Sequence, residues 1–331
     1  DRPMNKIPMN LPGLVQRYIE TNGIRMRIAE MGKGPLVLLI HGWPELWYSW
    51  RHQIVALAAA GYHVVAPDMR GYGGTDAPEA VSDYDIEHLS KDIVGILDVL
   101  EEETAVLVGH DWGSVVNWTT ALLYPDRFTA LVNMSVPYYS RGEMSVIDLF
   151  KSQFGDNFYY ILYFQEPSLA ENEFDANPRG ILSRLYTSPE TPREVPELTD
   201  PKMSAGGMIP RLGAPKVLPP WLSQRDLDYY VSEFEQAGFR GGINYYRNFH
   251  RNWEITPQLT NAQFKQPTLF IAGAEDAVIG GATADGLVKF MKSAVPDLRD
   301  VVLFPKIGHW VQQEAPEETN KALLKFLDWV K

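Results

Sequence analysis

The sequence has no cysteine among its 331 residues. A chain without thiols forms no disulfide, thiolate metal site or cysteine nucleophile, so those three kinds of chemistry are excluded. Long apolar runs are also missing, and the longest, such as Leu36–Ile40, have the length of a strand. Since a helix needs roughly 18 apolar residues to cross a bilayer, we expect no membrane span.

Positive charge is in the minority, with 30 basic against 42 acidic residues and a formal net charge of −12. This balance disfavours nucleic acid and anionic membranes as partners. No signal peptide is visible, so we expect a cytoplasmic protein, although a leader removed ahead of Asp1 would leave no trace. The expected oligomeric state is a monomer or a homodimer.

Short apolar runs alternate with amphipathic stretches in the first part of the chain. Residues 36–40 and 105–108 are rich in Val, Leu and Ile, and a His and a Gly follow them. Such continuous apolar runs are typical of parallel strands buried on both faces. Residues 84–100 place apolar side chains at helical spacing. Alternating strands and helices predict an α/β fold with a doubly wound, mostly parallel sheet.

This alternation stops after Pro137 and resumes near residue 268. Eight prolines lie between Pro189 and Pro220, so this stretch is predicted to be irregular and extended. We predict a core domain of residues 1–137 and 254–331, interrupted by a mainly helical lid of residues 138–253. The other predicted elements are strands at 63–66, 128–134, 268–272 and 300–304, and helices at 115–124, 150–164, 227–247 and 319–330.

The predicted strand 105–108 runs into Gly109-His110-Asp111-Trp112-Gly113, and a predicted helix follows. This is the form of a nucleophile elbow, in which glycines flank the central residue because the turn is tight. An isolated Asp at a helix N-terminus is usually structural, since the helix dipole stabilises it. The strand before and the helix after favour Asp111 as a nucleophile.

A carboxylate nucleophile restricts the chemistry. Its ordinary pKa of about 3.9 keeps it ionised at neutral pH, so it needs no base to activate it. Attack on an ester would give only an anhydride, whereas attack on an sp³ carbon with a leaving group gives an alkyl ester of the enzyme. Epoxides and haloalkanes are the two substrate classes that fit. Water must then hydrolyse the ester, so a base and an oxyanion hole are also required.

The predicted base is His309, because it alone among the seven histidines follows the last predicted strand. The acid that orients it should follow the preceding strand, where we select Asp276 and keep Glu275 as the alternative. Some enzymes with this order of nucleophile, acid and histidine carry the acid one strand earlier. Residues 132–137 offer Asn133 there but no carboxylate, which favours Asp276.

The predicted oxyanion hole combines two backbone amides. The first predicted strand leads into His41-Gly42-Trp43-Pro44, whose loop can direct the Trp43 N–H at the developing charge beside the N–H of Trp112. We expect a cis bond before Pro44, since tight active-site turns use them. The two tryptophan side chains are interpreted as pocket lining, and His41 and His110 as structural supports.

Together these motifs resemble soluble epoxide hydrolases of the α/β-hydrolase fold. The motif that begins at His41 continues to Trp50-Arg51, and the predicted base lies in Gly308-His309-Trp310. Two stretches of the lid are also similar to motifs of that family, and the resemblance runs from about Tyr18 to the C-terminus. The stretches are residues 160–167, YILYFQEP, and residues 244–248, NYYRN.

The resemblance implies that Tyr160 and Tyr246 are the lid tyrosines that hold the epoxide oxygen. Their neighbours Tyr159, Tyr163 and Tyr245 are close enough in sequence to be confused with them. Adjacent helical residues point about 100° apart, so only one of Tyr245 and Tyr246 should face the nucleophile. The implied substrate is a small epoxide, the product a 1,2-diol, and no metal or cofactor is implied.

Three other functions compete with this interpretation. A haloalkane dehalogenase would use the same nucleophile, and Trp112 suits halide binding there, but a leaving halide needs no proton whereas an alkoxide does. A phenol with a pKa of about 10 can donate, so the lid tyrosines favour the epoxide. An inactive scaffold serving as a receptor is disfavoured by the complete set of nucleophile, acid and base. A serine esterase is disfavoured because Asp111 occupies the elbow.

Overall fold

The computed structural model describes residues 4–331, which form an eight-stranded sheet in the order β1-β2-β4-β3-β5-β6-β7-β8. The strands are β1 Val15–Thr21, β2 Ile24–Met31, β3 Leu36–Ile40, β4 His63–Pro67, β5 Ala105–His110, β6 Phe128–Met134, β7 Thr268–Gly273 and β8 Leu298–Phe304. The first two pair antiparallel, β2 pairs antiparallel with β4, and all other neighbours are parallel. The predicted doubly wound, mostly parallel α/β sheet is therefore confirmed.

Thirteen α-helices occur in the described chain: α1 Arg51–Ala59, α2 Ile86–Val99, α3 Trp112–Leu123, α4 Val146–Phe154, α5 Tyr160–Tyr163, α6 Leu169–Ala176, α7 Pro178–Leu185, α8 Gln224–Ala237, α9 Arg240–Tyr246, α10 Phe249–Ile255, α11 Ala284–Met291, α12 Val311–Glu314 and α13 Pro316–Trp329. Within residues 4–331, no helix combines the length and the apolar character that crossing a bilayer requires.

The strand order places a crevice between β3 and β5. The chain leaves β3 for β4 on one side, whereas β5 lies on the other side and leads on to β6. Connections that depart in opposite directions leave a gap beyond the carboxyl ends of the two strands, where ligands bind in open α/β sheets. The loops carrying Trp43 and Asp111 begin at this gap.

The helices cover both faces of the sheet. Parallel crossovers are right-handed, so α1, which moves the chain from β3 to β4, and α2, which returns it to β5, lie on opposite faces. The last helix, α13, packs against α1, and α3 packs against α2. All residues of β3, β5 and β7 are consequently buried, which explains their continuous apolar sequences.

The antiparallel hairpin β1–β2 at the edge of the sheet was not predicted. Its first strand, VQRYIET, has exposed or partly buried residues at every position except the buried Ile19. Such a half-solvated strand has no continuous apolar run, and the prediction relied on such runs. The partner strand β2 lies between β1 and β4 and is more deeply buried.

The segment between β6 and β7 contains helices α4 to α10 and no strand of the sheet within the described residues. The predicted helices 150–164 and 227–247 are wrong in their continuity. The first is broken at Gly155, with φ of 54°, and the second at Gly238, with φ of 77°. A positive φ ends a right-handed helix and suits glycine. The domain division at residues 137 and 253 stays a prediction.

The proline-rich stretch from Pro189 to Pro220 has the irregular conformation that was predicted. Two 3₁₀ turns, Met203–Ala205 and Ile209–Arg211, are its helical elements among the described residues, and Arg193 forms an isolated bridge with Pro215.

A buried cluster of three charged side chains joins the helical segment between β6 and β7 to the sheet. Arg27 of β2 lies 2.7 Å from Asp68, which follows β4, and 3.0 Å from Glu233 of α8. All three side chains are at most 3% exposed. Because water cannot solvate them, each carboxylate depends on the shared guanidinium for compensation.

We therefore expect Arg27→Met to lower the free energy of unfolding by about 3–5 kcal/mol, because two buried carboxylates would lose their counter-charge. Urea unfolding at neutral pH measures this loss. Lys91→Met is the matched control, since Lys91 pairs with Glu87 on the exposed surface of α2. That control should keep nearly the wild-type stability, and equal losses in the two variants would contradict the role given to the cluster.

Candidate active site

Asp111 lies in the turn between β5 and α3, with φ of 58° and ψ of −123°. The turn is closely packed on both sides. A Cβ atom at Gly113 would lie 2.0 Å from the carbonyl oxygen of Ile40, and one at Gly109 would lie 2.5 Å from the side-chain nitrogen of Asn117 and 2.6 Å from the backbone of Gly113. Glycine is therefore required at both flanking positions, and the predicted elbow geometry is present.

Two backbone amides hold one oxygen of the Asp111 carboxylate. Its Oδ2 accepts hydrogen bonds from the N–H of Trp43 at 3.0 Å and from the N–H of Trp112 at 2.6 Å. The loop after β3 can approach Asp111 closely because it carries Gly42, where a Cβ would lie 2.3 Å from the Cβ of Asp111. The bond between Trp43 and Pro44 is cis, as expected. The two amides predicted for the oxyanion hole thus converge on one point.

The imidazole of His309 lies between two carboxylates. Its Nε2 is 3.1 Å from Asp111 Oδ1, and its Nδ1 is 3.1 Å from each oxygen of Asp276. Asp276 follows β7 and is 2% exposed, whereas the alternative, Glu275, is exposed to solvent. Of the two acids left open by the sequence, Asp276 is the one that contacts the imidazole.

The three groups shift one another's pKa. Burial alone would lower the pKa of His309, but Asp276 and Asp111 outweigh it and hold this pKa well above its usual value. Burial would raise the pKa of Asp111, yet the hydrogen bond and charge of His309 keep it below its usual value. Burial is likewise outweighed at Asp276, whose pKa falls to about 2. The arrangement favours an imidazolium between two carboxylates.

Tyr160 of α5 and Tyr246 of α9 lie side by side, with ring centroids 5.9 Å apart. Burial and the nearby charge of Asp111 raise the pKa of both hydroxyls, which keeps them protonated. The ring of Tyr246 packs edge-on against Trp112 at 5.2 Å and against Trp43 at 5.8 Å. The side chains of both tryptophans thus pack against Tyr246.

The hydroxyls of two neighbouring tyrosines are engaged elsewhere. Tyr245 donates to the carbonyl oxygen of Arg70 at 2.7 Å, and Tyr163 donates to Glu173 at 2.8 Å. The ring of Tyr159 stacks on a ring of α4 at 4.2 Å. Among the candidates that the sequence left open, Tyr160 and Tyr246 are therefore the two whose pKa is raised by the charge of Asp111.

Ser135 belongs to this site and was missed by the sequence interpretation. Its hydroxyl donates to Asp276 Oδ2 at 2.6 Å and lies 3.1 Å from Nδ1 of His309. The backbone of Ser135 has φ of 75° directly after β6. Its position at the carboxyl end of a central parallel strand was the available signal, but a serine does not carry the carboxylate expected of the acid that orients the base.

Gln165 was also missed, although it lies in the first lid motif. Its Nε2 donates to the carbonyl oxygens of Ile161 and Tyr246, both at 2.9 Å. One side chain therefore ties α5, which carries Tyr160, to the end of α9.

The other histidines near the site act through hydrogen bonds. His41 Nε2 accepts from the N–H of Met69 at 3.0 Å, so its Nδ1 carries the proton that is donated to the Gly42 carbonyl oxygen. His110 lies 2.7 Å from the carbonyl oxygen of His309, and burial lowers its pKa to about 4. Over residues 4–331, no group of three His, Asp or Glu side chains is placed to hold a metal ion.

Comparison with known proteins assigns the family. Residues 35–316 match the model of the alpha/beta hydrolase fold family. The chain is 46% identical over 317 residues to epoxide hydrolase A of Mycobacterium tuberculosis, covering 94% of this chain and 97% of that one. It is 41% identical over 313 residues to epoxide hydrolase 3 of Siraitia grosvenorii, covering 94% and 97%.

Solved structures agree with this assignment. The crystal structure of epoxide hydrolase A from Mycobacterium thermoresistibile superposes with a TM-score of 0.88 at 46% sequence identity, over 95% of this chain and 98% of that one. This likeness extends over both the sheet and the helical segment between β6 and β7. The chain therefore belongs to the epoxide hydrolases of the α/β-hydrolase fold.

Proposed function

We propose that the protein converts epoxides and water to vicinal diols through a covalent ester on Asp111. One observation carries the proposal: a partly buried carboxylate has one oxygen bound by two amides, and its charge acts on the two protonated phenols of Tyr160 and Tyr246. This combination provides a nucleophile, a place for the charge of the ester, and donors for the epoxide oxygen.

In the first step, Asp111 Oδ1 attacks a ring carbon and forms the ester bond. The carbon–oxygen bond of the ring breaks, and its electron pair goes to the ring oxygen. Hydrogen bonds from Tyr160 and Tyr246 stabilise that oxygen as it becomes an alkoxide. Oδ2 stays under the amides of Trp43 and Trp112 and becomes the carbonyl oxygen of the ester.

The proton that the alkoxide needs comes, in net terms, from the His309 imidazolium. Before the reaction, Asp111 and Asp276 both stabilise the charged imidazole. Alkylation removes the negative charge of Asp111, so only one of the two carboxylates remains. The pKa of His309 then falls, and the imidazole gives up its proton. The first step therefore converts His309 into the base that the second step requires.

In the second step, neutral His309 takes a proton from water while the water attacks the ester carbonyl carbon. The developing negative charge on Oδ2 is held by the amides of Trp43 and Trp112. Collapse breaks the bond from the carbonyl carbon to the diol oxygen, and that oxygen takes the second proton of the attacking water as the diol is released. Asp111 leaves as a carboxylate containing one oxygen from water, and His309 is again an imidazolium, so charges and protons balance.

We further propose that residues 138–253 act as the lid over this reaction. The segment supplies both tyrosines, and its buried contacts with the sheet hold them above the crevice. The same two phenols favour an epoxide over a haloalkane as substrate. A departing halide needs no proton, whereas an alkoxide does, and neutral phenols are suited to provide one.

The ester intermediate predicts where oxygen from water appears. After several turnovers of an aryl epoxide in ¹⁸O-water, peptide mass analysis should find the label in the peptide carrying Asp111, because water attacks its carbonyl carbon. Asp111→Asn should lower kcat by about 10⁴-fold or more. Labelled diol with an unlabelled Asp111 peptide would indicate direct attack by water and refute the ester.

The two phenols predict a matched set of tyrosine variants. Tyr160→Phe and Tyr246→Phe should each lower the rate of ester formation by about 10²-fold, because one donor to the ring oxygen is lost. Tyr245→Phe is the control, since its hydroxyl donates to the Arg70 carbonyl instead. Stopped-flow tryptophan fluorescence with a single turnover measures the step. A control variant as slow as the other two would contradict the assignment of Tyr246.

The charge coupling predicts the titration of His309. In Asp111→Asn the imidazolium loses one of its two carboxylates, so the pKa of His309 should be lower than in the wild type. NMR spectra of the ¹⁵N-labelled imidazole, recorded against pH, give this pKa directly. His63→Gln is the control, since it removes a ring that pairs with Glu30 away from the site. This variant should leave the pKa of His309 unchanged. An unchanged or higher pKa in Asp111→Asn would refute the proposed proton cycle.

A further inference from the structure

A single carboxylate holds the loop that carries His309. Glu314, the last residue of α12, accepts a hydrogen bond at each of its two oxygens. The N–H of Gly308 donates to Oε1 at 3.0 Å, and the N–H of Trp310 donates to Oε2 at 2.9 Å. These amides belong to the residues on either side of the base, so one side chain fixes the backbone before and after His309.

The charge of Glu314 strengthens its hold on the loop. Both oxygens accept from N–H groups, as the two oxygens of an ionised carboxylate can. Hydrogen bonds to such a group are about twice as strong as those between neutral groups. Burial raises the pKa of Glu314, and the two amides and the charge of His309 oppose this rise. The bonds to the loop thus offset the unfavourable removal of the carboxylate from water.

The inserted segment packs against the same loop. The indole N–H of Trp310 donates to the carbonyl oxygen of Leu185, at the end of α7, at 2.8 Å. A Cβ atom at Gly308 would lie 2.9 Å from Cδ of Pro189, so the two backbones approach closely. Gly308 and Trp310 are buried as a result, and their amides depend on Glu314 as an acceptor.

The position of the imidazole matters most in the second step of the proposed reaction. In the resting site, His309 lies 3.1 Å from Asp111 on one side and 3.1 Å from Asp276 on the other. Once Asp111 is an ester, its charge no longer attracts the imidazole, so Asp276 and the loop backbone must hold the base. A base must lie within hydrogen-bond reach of the water that it deprotonates, and a displacement of about 1 Å can lower a rate by about 10²-fold.

We propose that Glu314 is a positioning residue that keeps His309 in place for hydrolysis of the ester. The proposal rests on the epoxide hydrolysis described above. Glu314 acts through the two amides beside the base and not on the substrate. Formation of the ester depends on it less, because Asp111 is the attacking group and its charge still holds the imidazole during that step.

Glu314→Gln separates the two steps. Glutamine has nearly the same shape but only one acceptor oxygen, so one of the two amides loses its partner. In a single turnover of styrene oxide, the rate constant for ester hydrolysis should fall about tenfold, whereas that for ester formation should stay within about twofold of the wild type. Stopped-flow tryptophan fluorescence measures both rate constants. The mass of the acid-quenched protein should show that the ester accumulates.

Glu173→Gln is the matched control. Glu173 also binds two backbone amides, those of Met208 at 2.9 Å and Ile209 at 3.1 Å, but these lie in the proline-rich stretch. This variant should hydrolyse the ester at the wild-type rate. Glu314→Asp keeps two acceptor oxygens and the charge, so it should lose less than Glu314→Gln. It carries the test by itself if the glutamine variant does not fold.

A purely structural role for Glu314 would give a different result. A loosened fold lowers the amount of active protein, and therefore the amplitudes of both phases, without slowing one step selectively. Equal losses in the two rate constants, or an unchanged rate of ester hydrolysis in the Glu314 variants, would refute the positioning role. A wild type that forms no ester would instead refute the proposed function.

Discussion

The turn at Asp111 holds its backbone at φ of 58°, a region that non-glycine residues rarely adopt and that costs about 1–3 kcal/mol. The surrounding structure maintains this conformation. β5 enters the turn from the middle of the sheet, α3 leaves it, and the glycines on either side allow Ile40 and Asn117 to approach closely. As a result the carboxylate projects into the crevice between β3 and β5, where the amides and His309 converge on it.

Electrostatics at the site follow from that placement. One imidazole lies between two carboxylates, so the resting site has its positive charge balanced on both sides. In the proposed reaction, esterification of Asp111 removes one of the negative charges and thereby changes His309 from an acid to a base. A nucleophile that is itself the counter-ion of the base couples the two steps without any movement of the chain.

The positions of Tyr160 and Tyr246 depend on how the helices between β6 and β7 are broken and anchored. Gly155 and Gly238 end the preceding helices with positive φ, which lets α5 and α9 begin in new directions. Gln165 then joins these two short helices, and Asn248 donates to the carbonyl oxygen of Val81 at 2.7 Å. These hydrogen bonds tie α9 to α5 and its end to the core.

Local sequence was sufficient for the strands that lie inside the sheet and for the elbow. Continuous runs of Val, Leu and Ile arise only where both faces of a strand are buried, so β3 and β6 were predicted with their observed bounds. The hairpin strand β1 was missed because one of its faces meets water and its apolar residues are interspersed with polar ones. Chain order alone pointed to His309 and Asp276, since parallel strands bring their carboxyl ends to one edge.

By itself, then, the amino-acid sequence determined the fold class and the chemical groups available: a carboxylate in place of a thiol or hydroxyl nucleophile, a histidine after the last strand, and tyrosines in the inserted segment. Only the tertiary structure decided which neighbours meet. Tyr246 packs against Tyr160 whereas Tyr245 donates to the Arg70 carbonyl oxygen. Asp276 rather than Glu275 contacts the imidazole of His309, and Ser135 donates to Asp276. The physical reason is that such choices depend on side-chain direction and burial across elements distant in the chain, which no local pattern encodes.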